Sequence, residues 1–279
     1  MPWINVGHER AGSVNLHCED EGTGASVVLI HGWPLASSTW DAQRTALLEA
    51  GLRVTTYDRR SCGLSAPATN GHDFDTYAED LHRVLCQLDL KDVTLVGHGM
   101  GAGEIVRYLG SYGDDRVARC VLLAPISPTP TASTVCEGVS PQVQMDRWLA
   151  CLRRDRKSFL KRFMEVALGE AKFLEVQTAE ACQLQAIADT EQNSTEVLKV
   201  SASDFRDDLH RIAVPTLVVQ GDQDALYPLE TAGVQLERSI ANANLVRLPG
   251  APHALPLTHA RDVNDLLLSF IGGCTLSAN

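Results

Sequence analysis

The feature that most constrains the fold of this 279-residue chain is an alternation of short apolar runs with segments of helical periodicity. The runs are rich in β-branched residues, as expected for strands that are covered on both faces of a parallel sheet. The predicted strands are Val27–Ile30, Arg53–Tyr57, Val93–Val96, Cys120–Leu123, Pro215–Gln220 and Asn244–Leu248, with Ser13–Glu19 as a half-exposed strand.

Helical patterns fill the segments between these runs. Residues 40–50 predict a helix that ends at Gly51. Asp75 is predicted to cap the next helix, whose apolar face carries Ala78, Leu81, Leu85 and Leu88. A last helix is predicted to follow the final strand, with its apolar face within residues 263–271.

One long segment interrupts the alternation. Between about residues 142 and 208 the patterns are helical and no convincing strand is present. We therefore predict an α/β core of residues 1–126 and 209–279, with helices on both faces of a mostly parallel open sheet. Residues 127–208 are predicted to form an inserted helical cap. In open α/β sheets, ligands bind beyond the carboxyl ends of the strands, so the residues that follow each strand are the candidates for chemistry.

Three segments that follow predicted strands contain the residue types of a catalytic triad. VGHGMGAGE (96–104) has the glycines of a strand-to-helix elbow, GDQDALYP (221–228) supplies carboxylates, and GAPHALPLTHARDVN (250–264) supplies a histidine. Elbow, acid and histidine follow one another in the chain order of α/β-hydrolases. With LIHGWP (29–34) and YDRRSCGLS (57–65), these motifs make the chain similar to the α/β-hydrolase superfamily and, within it, to cofactor-free haloperoxidases and esterases.

The resemblance implies a role for individual residues. It places the acid at Asp224, with Asp222 as the competing choice, and the general base at His253. It places the oxyanion-hole donors at the backbone N–H groups of Trp33 and Met100. The nucleophile position falls on Gly99, where the family's serine is absent.

Gly99 changes the reaction that we expect. Acyl-enzyme chemistry needs an oxygen or sulfur nucleophile, and glycine has none. An enzyme that keeps a His253–Asp224 pair and two oxyanion donors could still perform general acid–base chemistry. Our first expectation is a non-hydrolytic enzyme of natural-product biosynthesis that catalyses C–C bond formation, cyclisation or rearrangement. The alternatives are a serine esterase or perhydrolase inactivated by a serine-to-glycine change, and a non-catalytic ligand-binding protein.

Further residues are candidates for the pocket wall. Ser61 and Cys62 follow a predicted strand, and Cys62 is the candidate to replace the lost nucleophile, with a simple packing role as the other interpretation. His98 precedes the elbow glycine and is expected to pack away from the pocket. The candidates for the pocket wall are His31, Cys62, His98, Trp148 and Tyr227, and for His98 the wall is the alternative to packing.

Charge and composition exclude other classes of partner. The net charge of −11 and the pI near 5.2 argue against binding to nucleic acid or to an anionic membrane. No apolar stretch reaches the length of a membrane span, so we expect a cytoplasmic protein with a small-molecule substrate. The eight cysteines lack metal-ligand spacing and are expected to be reduced thiols, mostly in the core. We expect no cofactor and no metal, and the resemblance leaves a homo-oligomer open.

Overall fold

The computed structural model describes residues 3–10, 12–130, 140–169 and 191–273. Its strands are β1 (Trp3–Glu9), β2 (Gly12–Glu21), β3 (Ser26–Ile30), β4 (Arg53–Tyr57), β5 (Val93–His98), β6 (Val117–Leu123), β7 (Thr216–Gly221) and β8 (Ala243–Leu248). Its helices are α1 (Asp41–Glu49), α2 (Phe74–Gln87), α3 (Met100–Tyr112), α4 (Pro141–Arg154), α5 (Arg156–Leu168), α6 (Glu191–Val200), α7 (Arg206–Leu209), α8 (Gly233–Ser239), α9 (Leu255–Thr258) and α10 (Ala260–Ile271).

All eight strands belong to one sheet, in the order β1-β2-β4-β3-β5-β6-β7-β8. β2 runs antiparallel to both of its neighbours, and every pair from β4 to β8 is parallel. The predicted mostly parallel α/β fold is therefore confirmed. The sequence analysis missed β1, an edge strand whose outward residues Trp3 and Asn5 are exposed.

Burial on both faces of the sheet explains why the central strands read as unbroken apolar runs. In β3, Val27 and Leu29 pack on one side with α1 and α10, whereas Val28 and Ile30 pack on the other side with α2 and α3. All four side chains are fully buried. Successive residues of a strand point to opposite faces, so a strand covered on both sides needs apolar residues at every position.

The start of α2 differs from the prediction. Asp73, not Asp75, is the N-cap residue, and its carboxylate accepts a hydrogen bond from the Thr76 N–H at 2.8 Å. Asp75 lies in the first turn of the helix and forms an ion pair with Arg107 of α3. Both aspartates suit the positive end of a helix, so composition alone does not decide between them.

The insert that interrupts the sheet leaves and rejoins the core at one place. The Phe205 N–H donates to the Pro128 carbonyl at 2.9 Å, which joins the two ends of the segment between them. The described part of residues 127–208 contains α4, α5, α6 and the start of α7, and no strand lies in that part. The exact boundaries of a cap domain stay a prediction.

Asp155 separates the two long helices of this insert. It ends α4, and its carboxylate caps α5 by accepting hydrogen bonds from the backbone N–H and the hydroxyl of Ser158. A single residue therefore separates two helices that contact each other, without a longer loop.

Membranes, metals and thiols were also subjects of the sequence analysis. Within the described ranges, no helix combines the length and the apolar character needed to cross a membrane. The same ranges hold no group of three or more His, Cys, Asp or Glu side chains placed to share a metal ion.

Five cysteines are described, and all five are free thiols. Only Cys18 and Cys120 are buried, so the expected burial of most cysteines is wrong for this set, because Cys86 and Cys151 lie on exposed helix surfaces. Cys136, Cys182 and Cys274 lie outside the described residues.

The close contact between α3 and the sheet leads to a first prediction. A Cβ atom at Gly101 would overlap the Ile30 carbonyl of β3, whereas a Cβ at Gly113, after α3, would meet open space. We expect Gly101→Ala to lower the free energy of unfolding by at least about 2 kcal/mol, because backbone must move. Urea unfolding measures this loss. Gly113→Ala is the control, because its Cβ causes backbone strain but overlaps no other atom. Equal losses in the two variants would contradict the close packing.

Candidate active site

The elbow between β5 and α3 has an unusual backbone conformation. Gly99 adopts φ +54° and ψ −113°, in a region that residues with a side chain rarely occupy. Its N–H donates to the Leu123 carbonyl at 3.0 Å, and its carbonyl accepts from the Ala102 N–H at 3.1 Å. These bonds hold the elbow at the carboxyl edge of the sheet in a conformation that glycine adopts freely and that would strain a residue with a side chain.

A buried histidine–aspartate pair lies beside this elbow. His253 Nδ1 is 2.9 Å from Asp224 Oδ2, and both residues are about 95% buried. The other carboxylate oxygen, Oδ1, accepts the N–H groups of Leu226 and Tyr227 at 3.0 and 2.9 Å. Because both carboxylate oxygens of Asp224 serve as hydrogen-bond acceptors, the contact favours the tautomer in which His253 carries its proton on Nδ1.

The free ring nitrogen of His253 points at the elbow glycine. A Cβ atom built on Gly99 would lie 3.2 Å from His253 Nε2 and 3.5 Å from its Cε1, with the Cα of Gly32 next at 3.9 Å. A side chain at this position would therefore start directly in front of the base. The pair has the placement of a triad in which the side chain of the nucleophile is missing.

Two backbone contacts fix the loop that carries His253. The ring of His98 lies below it, with Nε2 at 3.0 Å from the His253 carbonyl oxygen. A carbonyl only accepts, so His98 is the donor and carries its proton on Nε2. On the other side, the Ala254 N–H donates to the Ala167 carbonyl at the end of α5, at 2.8 Å. The base is thus tied both to the core and to the cap.

The segment before Trp33 is fixed by a second buried histidine. His31 Nδ1 lies 2.8 Å from the Gly32 carbonyl oxygen, and His31 Nε2 accepts the Arg59 N–H at 3.0 Å. Met100 is the first residue of α3, and the first N–H groups of a helix have no acceptor within it. These two elements present backbone beside Gly99, in keeping with the oxyanion-hole roles expected for Trp33 and Met100.

Residues 25–260 match the family described as the alpha/beta hydrolase fold. The chain belongs to the α/β-hydrolase fold family. It is 40% identical to a Synechocystis protein whose name places it among the non-heme chloroperoxidases, over 97% of this chain and 100% of that protein. It is 32% identical to a bifunctional esterase/perhydrolase of Acinetobacter calcoaceticus, over 86% of this chain and 89% of that protein.

A solved structure supports the same relationship. The chain superposes on a bromoperoxidase from Bacillus anthracis with a TM-score of 0.89 and 35% identity, covering 97% of this chain and 99% of the other. The resemblance to α/β-hydrolases, and to cofactor-free haloperoxidases among them, is therefore confirmed.

The structure separates the candidates for the acid and for a substitute nucleophile. Asp222 accepts the Gly250 N–H at 2.8 Å and is exposed, so Asp224 is the carboxylate that contacts His253. The atoms nearest to the empty side-chain position of Gly99 belong to His253 and Gly32. Cys62 is not among them, and its N–H closes a turn with the Arg59 carbonyl at 2.9 Å.

Two expected wall residues of this α/β-hydrolase are buried beneath the site. His31 is 0% exposed and His98 is 2% exposed. Burial, followed by the charge of Arg59, lowers the pKa of His31 to about 4, and burial, followed by His253, lowers the pKa of His98 to about 3. Both rings are therefore neutral supports at neutral pH. The expected place of His31 in the pocket wall is wrong, and of the two interpretations of His98 the structure shows packing, because each ring holds backbone.

Trp148 and Tyr227 lie on the cap side of the site. The ring of Tyr227 is 5.4 Å from that of His253, and both Trp148 and Tyr227 border a small space beneath the cap. A larger cavity of about 450 Å³ opens between α4, α5 and the loop after Asp224. Its wall residues are Trp148, Cys151, Arg154, Asp155, Ser158, Phe159, Arg162, Phe163, Val166 and Leu226. Cys62 does not line this cavity, so its expected place in the pocket wall is not supported there.

Sequence reasoning missed Gln220, which supports the acid. Its Nε2 donates to the Tyr227 carbonyl at 2.6 Å and lies 3.3 Å from Asp224 Oδ2, while its Oε1 accepts the Gly233 N–H at 2.7 Å. The available signal was a single amide at the end of an otherwise apolar strand. A fully buried polar side chain needs partners, and here those partners form the acid loop.

The two buried histidines predict a pH dependence of stability. Their folded pKa values lie below the value of 6.5 for an exposed histidine, so the unfolded chain binds protons that the folded chain excludes. We expect the free energy of unfolding to fall as the pH drops from 6.5, by about 2 kcal/mol per histidine between pH 7 and pH 5. Urea unfolding at pH 7, 6 and 5 measures this slope.

Two variants test whether His98 contributes to this pH dependence of the free energy of unfolding. His98→Gln keeps a donor for the His253 carbonyl and removes one titrating ring, so we expect its stability to depend on pH less steeply. His210 is exposed, and His210→Gln should leave the slope unchanged. An unchanged slope in His98→Gln would show that His98 is not held neutral.

Proposed function

We propose that this protein is an α/β-hydrolase of the esterase or perhydrolase type that acts on carbonyl substrates without an acyl-enzyme. The observation that carries the proposal is the elbow at Gly99, whose empty side-chain position faces His253 Nε2 at 3.2 Å. The elbow, the oriented base and the buried acid are parts of a hydrolase site, and all three are present. The missing part is the side chain of the nucleophile.

In the proposed reaction, the substrate carbonyl oxygen accepts the N–H groups of Trp33 and Met100. His253 Nε2 removes a proton from a water molecule, and the resulting hydroxide attacks the carbonyl carbon from the space above Gly99. Asp224 stabilises the imidazolium, which then returns the proton to the leaving oxygen as the carbon–oxygen bond breaks. A general base contributes about 10²- to 10⁴-fold and an oxyanion donor about 10²- to 10³-fold, so the reaction is slower than serine-dependent acyl transfer.

The named activities of the relatives support this choice of reaction. The relatives described above are named as haloperoxidases or as an esterase/perhydrolase. These names favour the esterase or perhydrolase alternative, and they conflict with our first expectation of a non-hydrolytic enzyme. C–C bond formation, cyclisation and a place in natural-product biosynthesis receive no support from them. The oriented His253–Asp224 pair favours catalysis over simple ligand binding, because a binding pocket needs no base.

Restoring the nucleophile tests the elbow. We expect Gly99→Ser to raise kcat/KM for p-nitrophenyl acetate by at least about 100-fold, because a triad serine is worth up to about 10⁶ in kcat. A burst of p-nitrophenol should accompany the gain, as an acyl-enzyme accumulates. Stopped-flow absorbance measures both quantities.

Gly99→Ala is the matched control. It imposes the same backbone strain, about 1–3 kcal/mol, and adds a Cβ without an oxygen. We expect it to show no burst and no gain in kcat/KM. If the original protein cleaves the ester as fast as Gly99→Ser, or if Gly99→Ser remains inactive while folded, the proposed site is wrong.

The base has a separate test in the unaltered elbow. We expect His253→Ala to reduce the slow p-nitrophenyl acetate hydrolysis of the original protein by about 10²- to 10⁴-fold or to the uncatalysed rate. His210→Ala, at an exposed position, should leave the rate unchanged. An undiminished rate in His253→Ala would remove this histidine from the mechanism.

A further inference from the structure

The chain carries an unusual concentration of positive charge in its cap. Residues 153–162, RRDRKSFLKR, contain six of the 24 Lys and Arg residues and only one acidic residue, in a chain whose net charge is −11. This segment joins the end of α4 to the first half of α5. A local excess of one sign, against the sign of the whole molecule, attracts ligands of the opposite charge.

Part of this positive segment borders the cap cavity. All four of Arg153, Arg154, Lys157 and Arg162 are exposed, but only Arg154 and Arg162 border the cavity, at its solvent-facing rim. The acidic member, Asp155, also borders the cavity, but its carboxylate caps α5 through Ser158. Arg162 Nη1 lies 3.7 Å from Glu165 on a well-exposed surface, where ion pairs contribute little.

The rest of the cavity wall is largely apolar. Trp148, Phe159 and Phe163 provide aromatic surface, and Val166 and Leu226 complete the wall with aliphatic surface. The ring of Phe163 lies 6.0 Å from that of Trp148 and 6.2 Å from that of Phe159. A volume of about 450 Å³ with these walls lies in the range of pockets that hold small organic molecules.

Three contacts join this cavity to the catalytic residues. Phe163 packs edge-to-face on Trp33, the residue after Gly32, with ring centroids 5.3 Å apart. The Leu226 N–H donates to Asp224, and the end of α5 accepts the N–H that follows His253. The wall of the cavity is therefore continuous with the loops that carry the acid and the base.

We infer that the cap cavity binds an amphipathic anion, an aryl or alkyl chain that ends in a carboxylate. The apolar chain lies against Trp148, Phe163 and Leu226, and the carboxylate lies beside Arg154 and Arg162, whose guanidinium groups suit carboxylate geometry. As the remote end of an ester or acid substrate, this ligand class deepens the proposed function and, in that respect, rests on it. Binding of the anion itself does not depend on turnover.

Binding is tested with 4-phenylbutyrate and its neutral analogue 4-phenylbutanol, by calorimetry on the unaltered protein. We expect the anion to bind at least about tenfold more tightly than the alcohol. Arg154→Gln with Arg162→Gln should remove that preference and change the affinity for the alcohol less than about twofold. Arg153→Gln with Lys157→Gln removes the same charge from the same segment, away from the cavity, and should keep the preference.

Three results would overturn the binding site. The first is the absence of saturable binding of 4-phenylbutyrate, and the second is equal binding of the acid and the alcohol. The third is an equal loss of affinity in both double variants, which would assign the effect to the overall positive charge of residues 153–162. Val166→Trp, which fills the cavity, should weaken both ligands, and undiminished binding in that variant would also count against the cavity.

Kinetics in the Gly99→Ser background test the link to catalysis. We compare mono-p-nitrophenyl glutarate, which carries a carboxylate, with p-nitrophenyl butyrate. Arg154→Gln with Arg162→Gln should lower kcat/KM for the glutarate ester about tenfold and leave the butyrate ester within about twofold. An unchanged ratio with intact anion binding would overturn the substrate assignment. If Gly99→Ser lacks esterase activity while 4-phenylbutyrate still binds as expected, the proposed function fails and the cavity assignment stands.

Discussion

The close contact of the elbow with the sheet is the constraint on which the rest of the site depends. Gly97 and Gly101 have no side chains, so β5 can turn directly into α3 while the helix lies against the backbone of Ile30. This contact places Gly99 in a left-handed conformation and directs its missing side chain at His253. Because Gly99 is the N-cap residue, α3 begins at Met100, directly after the elbow.

Buried neutral histidines support the loops that meet at this elbow. His98 donates to the carbonyl of His253, and His31 fixes the carbonyl of Gly32. Each ring is held in one tautomer by a backbone group, and burial keeps it uncharged. The two rings therefore act as fixed dipoles below the site rather than as titrating groups in it. This explains why a histidine beside the elbow glycine is compatible with a single catalytic base.

The cap contributes in a different way from the core. Core loops supply backbone geometry and the His253–Asp224 pair, whereas α4 and α5 supply an apolar wall with a cationic border. The two are joined where the end of α5 accepts the Ala254 N–H. In the proposed reaction, the core loops hold the reacting carbonyl group, and the rest of the substrate contacts the cap. Because the cap and the core have separate roles, changes in the cap sequence can alter substrate preference while the elbow, the acid and the base stay the same.

The sequence by itself determined the sheet, the insert and the chain order of elbow, acid and histidine, because apolar periodicity and glycine spacing are local properties. It also named Asp224 and His253 through a resemblance, yet it left Asp222 as an alternative, placed His31 in the pocket wall and left both packing and the wall open for His98. Only the tertiary structure decided these points, since they depend on which groups from distant strands come within hydrogen-bond distance. Asp222 accepts a hydrogen bond from the Gly250 N–H, whereas Asp224 contacts His253 Nδ1. The support from Gln220 and the cationic border of the cap cavity likewise arise from residues that meet only when the chain is folded.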